Sequence, residues 1–336
     1  VQPVNRHKPR IVLAQKSEEG KADFFELNMK SDAVVENFRA GVMDRLGLGY
    51  EVIPAVNPAI VYASVRGFGD PRSGATALNN RPAMDYVVQA MGGLMSITGP
   101  EGGTPMKAGP GVGDIFPGTM AAFGVVSAML SARMTGKGQY VDVAMYDAIV
   151  SLNERIIYQY GYTGVSPTST GNSHPLWSLY NTLPAKDGHV CISATFDHEW
   201  KILAETMGQP ELAQDDRFAT ADARLANDQA AIDVVTAWTR TRTRTEIVEA
   251  LSHLISVGPV QTAHDLFADP HLRVRNMILE LDHPGSAKKA AVAGTPVKFL
   301  GTPFDAHRRA PQLGEHTAEV REQLLSGRRR SAGADV

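Results

Sequence analysis

One carboxylate in the sequence stands where it could act as a nucleophile. Asp114 follows the glycine-rich residues 108–113 (AGPGVG) and precedes an apolar run that predicts a helix over residues 117–133. Glycines let a backbone approach a ligand closely, and a helix start offers N–H groups without intrahelical partners, which favour an ionised carboxylate. A partly desolvated carboxylate is able to attack an electrophile. The spacing alone favours a simpler role for Asp114, as the N-cap of that helix, and both roles stay open.

Several other catalytic signatures are missing from the sequence. The glycine-rich residues lack the Gly-Lys-Ser/Thr ending of a nucleoside triphosphatase loop. No Gly-x-Gly-x-x-Gly follows a predicted strand, and there is no Gly-x-Ser-x-Gly elbow. The 10 histidines are scattered without the helical spacing of metal ligands, so no metal is expected.

Composition narrows the class of protein further. The chain has 336 residues, which suggests about two domains. Its 33 basic and 36 acidic side chains give a net charge of −3, too balanced for a partner that is nucleic acid or an anionic membrane. The single cysteine, Cys191, indicates a reducing compartment, so we expect a cytoplasmic protein in which Cys191 is a small buried residue. Residues 115–134 are apolar, but Pro117 and several small residues favour a buried helix over a membrane span.

The elements that must position Asp114 alternate along the first half of the chain. Predicted strands at residues 10–14, 33–35, 59–65 and 139–144 are separated by predicted helices, and a further helix is expected over residues 145–160. This alternation predicts a parallel sheet with helices on its faces. After a Gly/Ser/Thr/Pro-rich linker at 163–175, the pattern predicts a smaller α+β unit. Late strands are expected at residues 277–282 and 291–299, and a solvated tail at residues 328–336.

A set of short motifs in fixed order gives the sequence a family resemblance. The motifs are VVENFRAG (34–41), RLGLGY (45–50), RP with DY (81–86), GD (113–114), TGKGQYVDV (135–143), GNSHP (171–175), GPV (258–260) and LGEHT (313–317). In this order, from about residue 5 to 325, the sequence resembles the family III CoA-transferases (CaiB/BaiF), whose scaffold is shared by α-methylacyl-CoA racemases. Each motif is weak by itself, whereas the ordered set is specific.

The resemblance implies an architecture. It is an α/β fold with a Rossmann-like parallel sheet in a large CoA-binding domain (1–165), a smaller α+β domain (166–285), and a C-terminal segment (286–336) that returns to complete the large domain before a flexible tail. Members of the family form interlocked dimers, so a homodimer is expected. They also carry an upstream strand and turn that touch CoA, and the N-terminal part of the large domain is therefore expected to be truncated here.

The resemblance also implies an activity and its residues. Asp114 would attack an acyl-CoA thioester to give a mixed anhydride, then an aspartyl-CoA thioester that passes CoA to a small carboxylic acid. Asp85 matches an acidic position near the reacting centre. CoA, the only cofactor expected, would contact Leu13, Lys16, Asn37, Phe38 and Arg45. Lys16 and Arg45 suit phosphates, and Phe38 suits the adenine ring. Residues 168–174 would form a loop that closes over the reaction.

Two alternatives to CoA transfer stay open. One is an α-methylacyl-CoA racemase or epimerase on the same scaffold. Racemisation needs a base on each face of the α-carbon, and the histidine that racemases carry just before the Asp85 position is replaced here by Pro82, Ala83 and Met84. The other alternative is a truncated, non-catalytic CoA-binding protein.

Overall fold

The chain divides into two compact units. The computed structural model describes residues 5–303 and 308–325. One unit consists of Val1–Gly92, Pro110–Leu152 and Asp265–Val336, and the other of Gly93–Gly109 and Asn153–His264. The units of the structure change after Leu152 and after His264, whereas the sequence predicted boundaries after residues 165 and 285. Residues Gly93–Gly109 belong to the second unit, although the sequence was interpreted as placing them in the large domain.

The first unit is built on a parallel sheet, as the alternation of elements predicts. Its first elements are α1 (Glu18–Met29), β1 (Ala33–Glu36), α2 (Val42–Leu46), β2 (Val61–Arg66), α3 (Asp85–Met91), α4 (Val112–Thr135), β3 (Tyr140–Ala144) and α5 (Met145–Leu152). The strands lie in the order β1-β2-β3, all parallel, with Val35 opposite Ala63 and Ala63 opposite Val141. The α/β fold with a parallel sheet is thus confirmed.

The predicted strand at residues 10–14 is wrong. In the described part of the chain these residues belong to no strand. Their backbone groups bond instead to the segment near the C-terminus, where Val12 N donates to Thr317 Oγ1 (3.1 Å) and Arg10 O accepts from His316 N (3.0 Å). An extended apolar run satisfies its hydrogen bonds here without a sheet neighbour.

Helix α4 lies on β2 and β3 with one face. Its buried stripe, made of small or compact residues at helical spacing, is Gly113, Pro117, Ala121, Val125, Ala128 and Ala132. Such a stripe lets the helix axis approach the sheet closely, and Val61, Ala63 and Val141 pack against it. The opposite face is apolar and exposed, so the burial expected for this helix is found on one face only. By length and composition, α4 is also the one described helix that could span a membrane.

The second unit contains an antiparallel sheet with helices packed on one face. Its elements are α6 (Glu154–Thr163), β4 (Tyr180–Ala185), β5 (Gly188–Ser193), α7 (Asp197–Thr206), α8 (Ala221–Ala226), α9 (Asp228–Thr239), α10 (Arg244–Leu251) and β6 (Ser256–Pro259), with strand order β4-β5-β6. The expected helix over residues 145–160 is interrupted at Asn153. Val190 and Ile192 face the core, and therefore Cys191 between them is exposed, contrary to expectation.

The chain then returns to the first unit. The last elements are α11 (Ala263–Ala268), α12 (Pro270–Val274), β7 (Ile278–Leu281), β8 (Ala290–Ala293) and α13 (Thr317–Leu325). Helix α13 contacts α1, where Arg321 lies 2.6 Å from Asp23 Oδ2. Both late strands exist and pair antiparallel, although the second ends at Ala293. The expected tail at residues 328–336 lies outside the described residues.

Candidate active site

Asp114 and four of the five residues expected to bind CoA lie at one edge of the parallel sheet. Helices α1 and α4 each lead through a short turn into a strand of the sheet, so each begins at the edge where the strands end. Leu13 and Lys16 come just before α1, Asn37 and Phe38 just after β1, and Asp114 in the first turn of α4. Ligands of open α/β sheets bind at this carboxyl edge.

Asp114 is the third residue of α4 and is not its N-cap. The N-cap is Gly111, which has no side chain to offer, so the simpler role considered for Asp114 is wrong. The Asp114 side chain is exposed. Among the described residues no hydrogen bond or ion pair holds its carboxylate, and the group is therefore available to react.

Asp85 begins α3 and ties it to the start of α4. Its Oδ1 accepts from Gly113 N (2.7 Å) and from Nε2 of the buried Gln89 (2.8 Å). The carboxyl groups of Asp85 and Asp114 both lie within 4 Å of the position that a Cβ on Gly111 would occupy. The structure thus brings together the two carboxylates that the resemblance assigned to the reacting centre. Gln89 carried no signal in the sequence, because only the turn of α3 places it under Asp85.

The start of α4 differs from expectation in one respect. The N–H groups at the start of this helix were expected to be unpaired, and those of residues 112–114 all donate: Val112 to Pro110 O (2.8 Å), Gly113 to Asp85 Oδ1 (2.7 Å) and Asp114 to Gly111 O (3.1 Å). A side chain from α3 and the carbonyls of the preceding turn satisfy them. The dipole of α4 still favours negative charge at this end.

The surroundings of Asp114 raise its pKa. Partial desolvation of its carboxyl group by the surrounding residues is the larger cause, and the charge of Asp85 adds to it. A nucleophilic carboxylate must be ionised, so activity should fall with decreasing pH through this raised pKa, at higher pH than for an ordinary aspartate.

A pH profile of kcat/KM for Asp85→Asn tests this electrostatic link. The variant removes the charge next to Asp114 and leaves the burial, so the acidic limb is expected to move to lower pH than in the wild type. A limb that stays in place would show that Asp85 does not influence the titrating group.

Two of the residues expected to bind CoA, Asn37 and Phe38, lie in a hydrogen-bonded turn after β1. Asn37 Nδ2 donates to Val65 O (2.5 Å), and Phe38 N donates to Glu36 Oε2 (2.6 Å). The Phe38 ring is 47% exposed although it is apolar. Lys16 is exposed before α1, Leu13 is half-buried, and Arg45 is exposed in the last turn of α2. The charged groups of Lys16 and Arg45 and the ring of Phe38 are therefore accessible to a ligand from solvent.

In the second unit, the expected closing loop (168–174) is hydrogen-bonded to Gly99 and Pro100 of the same unit. Gly171 N donates to Gly99 O (3.0 Å), and Ser169 Oγ donates to Pro100 O (2.9 Å). The His174 ring accepts from Leu176 N through Nδ1 (3.2 Å). Burial, and then the charge of Arg155, lowers the pKa of His174. The role of this loop in closure stays a prediction.

Fold and site together define an α/β protein that presents two adjacent carboxylates at the carboxyl edge of a parallel sheet. Comparison with known families gives a match to CoA-transferase family III over residues 1–317. The chain belongs to that family. It is an enzyme that transfers CoA from an acyl-CoA to a carboxylic acid.

Relatives and solved structures agree with this assignment. The succinyl-CoA:mesaconate CoA-transferase of Haloarcula hispanica is 42% identical over 326 residues, which are 97% of this chain and 82% of that protein. The succinate–glutarate CoA-transferase of Agrobacterium fabrum is 33% identical over 95% of this chain and 79% of its own. A CaiB/BaiF family protein from Brucella suis superposes with a TM-score of 0.83 at 33% identity, covering 96% and 83% of the two chains. Both named relatives are transferases, which favours transfer over racemisation.

Proposed function

We propose that Asp114 is the nucleophile of a CoA transfer that proceeds through covalent intermediates on the enzyme. The observation that carries this is its exposed carboxylate in the first turn of α4 beside Asp85, to which no side chain or backbone group of residues 5–303 and 308–325 donates a hydrogen bond. A raised pKa makes a carboxylate a better nucleophile when it is ionised. Asp85 thus acts in two ways, through its charge and through its hydrogen bond to Gly113 N.

The proposed reaction forms two kinds of covalent intermediate on Asp114, first a mixed anhydride and then a thioester. A carboxylate oxygen of Asp114 attacks the thioester carbonyl, the C–S bond breaks, and CoA leaves as the thiolate from a mixed anhydride. The thiolate attacks the Asp114 carbonyl of the anhydride, which releases the donor acid and leaves an aspartyl-CoA thioester. The acceptor carboxylate then attacks the carbonyl of the aspartyl-CoA thioester, which forms a second mixed anhydride and releases the thiolate. The thiolate attacks the acceptor carbonyl of this anhydride. The acceptor acyl group leaves on CoA, and Asp114 is again a carboxylate.

CoA itself is proposed to lie along the sheet edge. Lys16 and Arg45 carry the charges that phosphates need, and the exposed ring of Phe38 offers a face to the adenine. Asn37 and Leu13 would contribute a polar and an apolar contact. The support is the location of Leu13, Lys16, Asn37 and Phe38 at the edge that also holds Asp114, together with the exposed guanidinium of Arg45 in α2.

The names of the relatives suggest the substrates, namely succinyl-CoA as donor and a small dicarboxylate such as mesaconate or glutarate as acceptor. The test incubates the protein with succinyl-CoA and each of mesaconate, glutarate and oxalate, and follows the CoA esters by mass spectrometry. We expect a new acyl-CoA and free succinate in equal amounts with at least one dicarboxylate. Hydrolysis of succinyl-CoA without a new ester would contradict the proposal. Deuterium uptake at the α-carbon of a 2-methylacyl-CoA would instead support racemisation.

A homodimer is also proposed, and the exposed face of α4 supports it. Six apolar side chains on that face are between 40% and 80% exposed: Ile115, Met120, Phe123, Val126, Leu130 and Met134. A contiguous apolar face of this length is typical of a protein–protein contact.

Light scattering at micromolar concentration tests the dimer. We expect a dimer for the wild type and a monomer for the double variant Phe123→Glu/Leu130→Glu, because two charges would be buried without partners. The control is Lys201→Glu on α7, an exposed position. A monomeric wild type would exclude the dimer, and a dimeric double variant would place its interface elsewhere.

A further inference from the structure

A buried ionic network lies directly behind the turn that carries Asn37 and Phe38. Arg66, the last residue of β2, contacts two carboxylates: its Nη2 lies 3.1 Å from Glu36 Oε1, and its Nη1 donates to Asp70. The three side chains are 7%, 2% and 1% exposed in the order Arg66, Glu36 and Asp70. Neither carboxylate takes part in the proposed reaction.

The two carboxylates of this network differ in what else they hold. Asp70 has partners of its own, since it accepts from the Tyr140 hydroxyl (3.1 Å) and from Arg72 N (2.9 Å). Glu36 uses its second oxygen, Oε2, to accept from Phe38 N at 2.6 Å. Glu36 is therefore the side chain through which the buried network reaches the turn.

The turn is held from both sides. While Glu36 bonds to Phe38 N, the Asn37 amide donates to Val65 O on β2 at 2.5 Å. A half-exposed phenylalanine costs free energy in water and gains from a planar partner. Held on a rigid turn, its ring loses little conformational freedom when such a partner binds.

Burying three charges is costly, and apolar residues of similar shape often stabilise a fold as well or better. The Glu36 carboxylate has a role that an apolar side chain could not take, because it accepts directed hydrogen bonds from Arg66 and from Phe38 N at once. We propose that Glu36 is a positioning residue for CoA, which through its bonds to Arg66 and Phe38 N fixes the ring of Phe38 in the orientation that stacks on the adenine. This inference rests on the proposed CoA site.

Glu36→Gln is the informative variant because it keeps the shape and breaks the pairing. Glutamine has one acceptor oxygen and one donor nitrogen. If its oxygen faces Phe38 N, its amide N–H groups face the Arg66 guanidinium. If its oxygen faces Arg66, the N–H groups face Phe38 N–H. Either orientation places two donors opposite each other.

The experiment is a double-mutant cycle read as the Kd for CoA by calorimetry, with kcat and both KM values measured alongside. Phe38→Ala is expected to weaken CoA about tenfold. Glu36→Gln is expected to weaken it about five- to tenfold and to raise the KM for the acyl-CoA, with kcat and the KM for the acceptor acid within about twofold. In the Phe38→Ala background, adding Glu36→Gln should raise the Kd for CoA by less than about twofold.

Controls separate positioning from a general loss of stability. Glu51→Gln removes a carboxylate that pairs with Arg72 at 3.0 Å and is 72% exposed, and it should leave the Kd unchanged because Glu51 is not a partner of Glu36 or Phe38 in the described part of the chain. If Glu36→Gln does not fold, as judged by thermal unfolding, Glu36→Asp replaces it in the cycle, because the shorter side chain keeps its charge but no longer reaches both partners.

The outcomes are distinguishable. Equal losses from the Glu36 variant in both backgrounds, or no loss in either, would overturn the positioning role while the CoA site stands. No effect of Phe38→Ala on CoA binding would overturn the CoA site at this turn, and the positioning role with it.

Discussion

Replacing Asp114 with alanine is expected to lower the rate of CoA transfer by about 10⁴-fold or more, since the nucleophile of a covalent mechanism is lost. Intact mass after mixing with succinyl-CoA is the measurement that shows why. Wild-type protein should gain the mass of CoA bound as a thioester, or of the acyl group bound as an anhydride. The alanine variant should gain neither.

Asp147→Ala is the matched control for this experiment. Asp147 is also an exposed aspartate of the first unit. Its pKa is raised first by partial desolvation and then by the neighbouring Asp142, as that of Asp114 is raised by partial desolvation and by Asp85. We expect the Asp147 variant to form the adduct normally. An adduct that persists in the Asp114 variant would assign the nucleophile to another residue.

Loss of folding does not explain the expected inactivity. A carboxyl whose pKa is raised on folding favours the folded state at low pH, and this contribution is lost as the pH rises through the raised value. Ionised Asp114 therefore weakens the fold at neutral pH. Asp114→Asn removes the charge and should unfold at a slightly higher temperature than the wild type. Inactivity combined with greater stability is typical of a catalytic residue.

The parallel sheet could be predicted from the sequence because its signals are local. β-branched residues at 33–35, 59–65 and 139–144 mark strands that the structure places at Ala33–Glu36, Val61–Arg66 and Tyr140–Ala144. Ser17, a residue type that favours helix N-caps, stands directly before α1, and its side chain accepts from Gly20 N. Propensity and capping act within a few residues, so a pattern in the chain is sufficient to find them.

The details of the candidate site depend on partners far apart in the chain. Asp85 lies 28 residues before Gly113, the residue whose N–H it accepts from. Glu36 lies 30 residues before Arg66, and the two meet only because β1 and β2 pair in parallel register. Periodicity and motifs do not specify such pairs, and for this reason the acceptor of the Gly113 N–H group could not be predicted.

Gly113→Ala is expected to damage stability and catalysis together, because Gly113 lies where α3 and α4 touch. A Cβ there would be 2.6 Å from Val88 Cγ2, 2.8 Å from Asp85 O and 2.9 Å from Asp85 Oδ1. Two of these atoms belong to the residue that accepts the Gly113 N–H, so the helices must separate and that hydrogen bond lengthens. We expect a loss of about 1–3 kcal/mol in the free energy of unfolding and about 10²-fold in kcat.

Urea unfolding and steady-state kinetics of Gly113→Ala, beside Gly118→Ala, test this argument. Gly118 lies in the same helix with no heavy atom within 4 Å of its would-be Cβ, so alanine there should raise the stability by up to about 1 kcal/mol. Equal effects of the two substitutions would show that the contact between α3 and α4 is unimportant. Because the CoA residues lie before α3 in the chain and on other elements, the KM for the acyl-CoA should change little in Gly113→Ala. A fall in kcat at constant KM would then locate the defect in the orientation of Asp114.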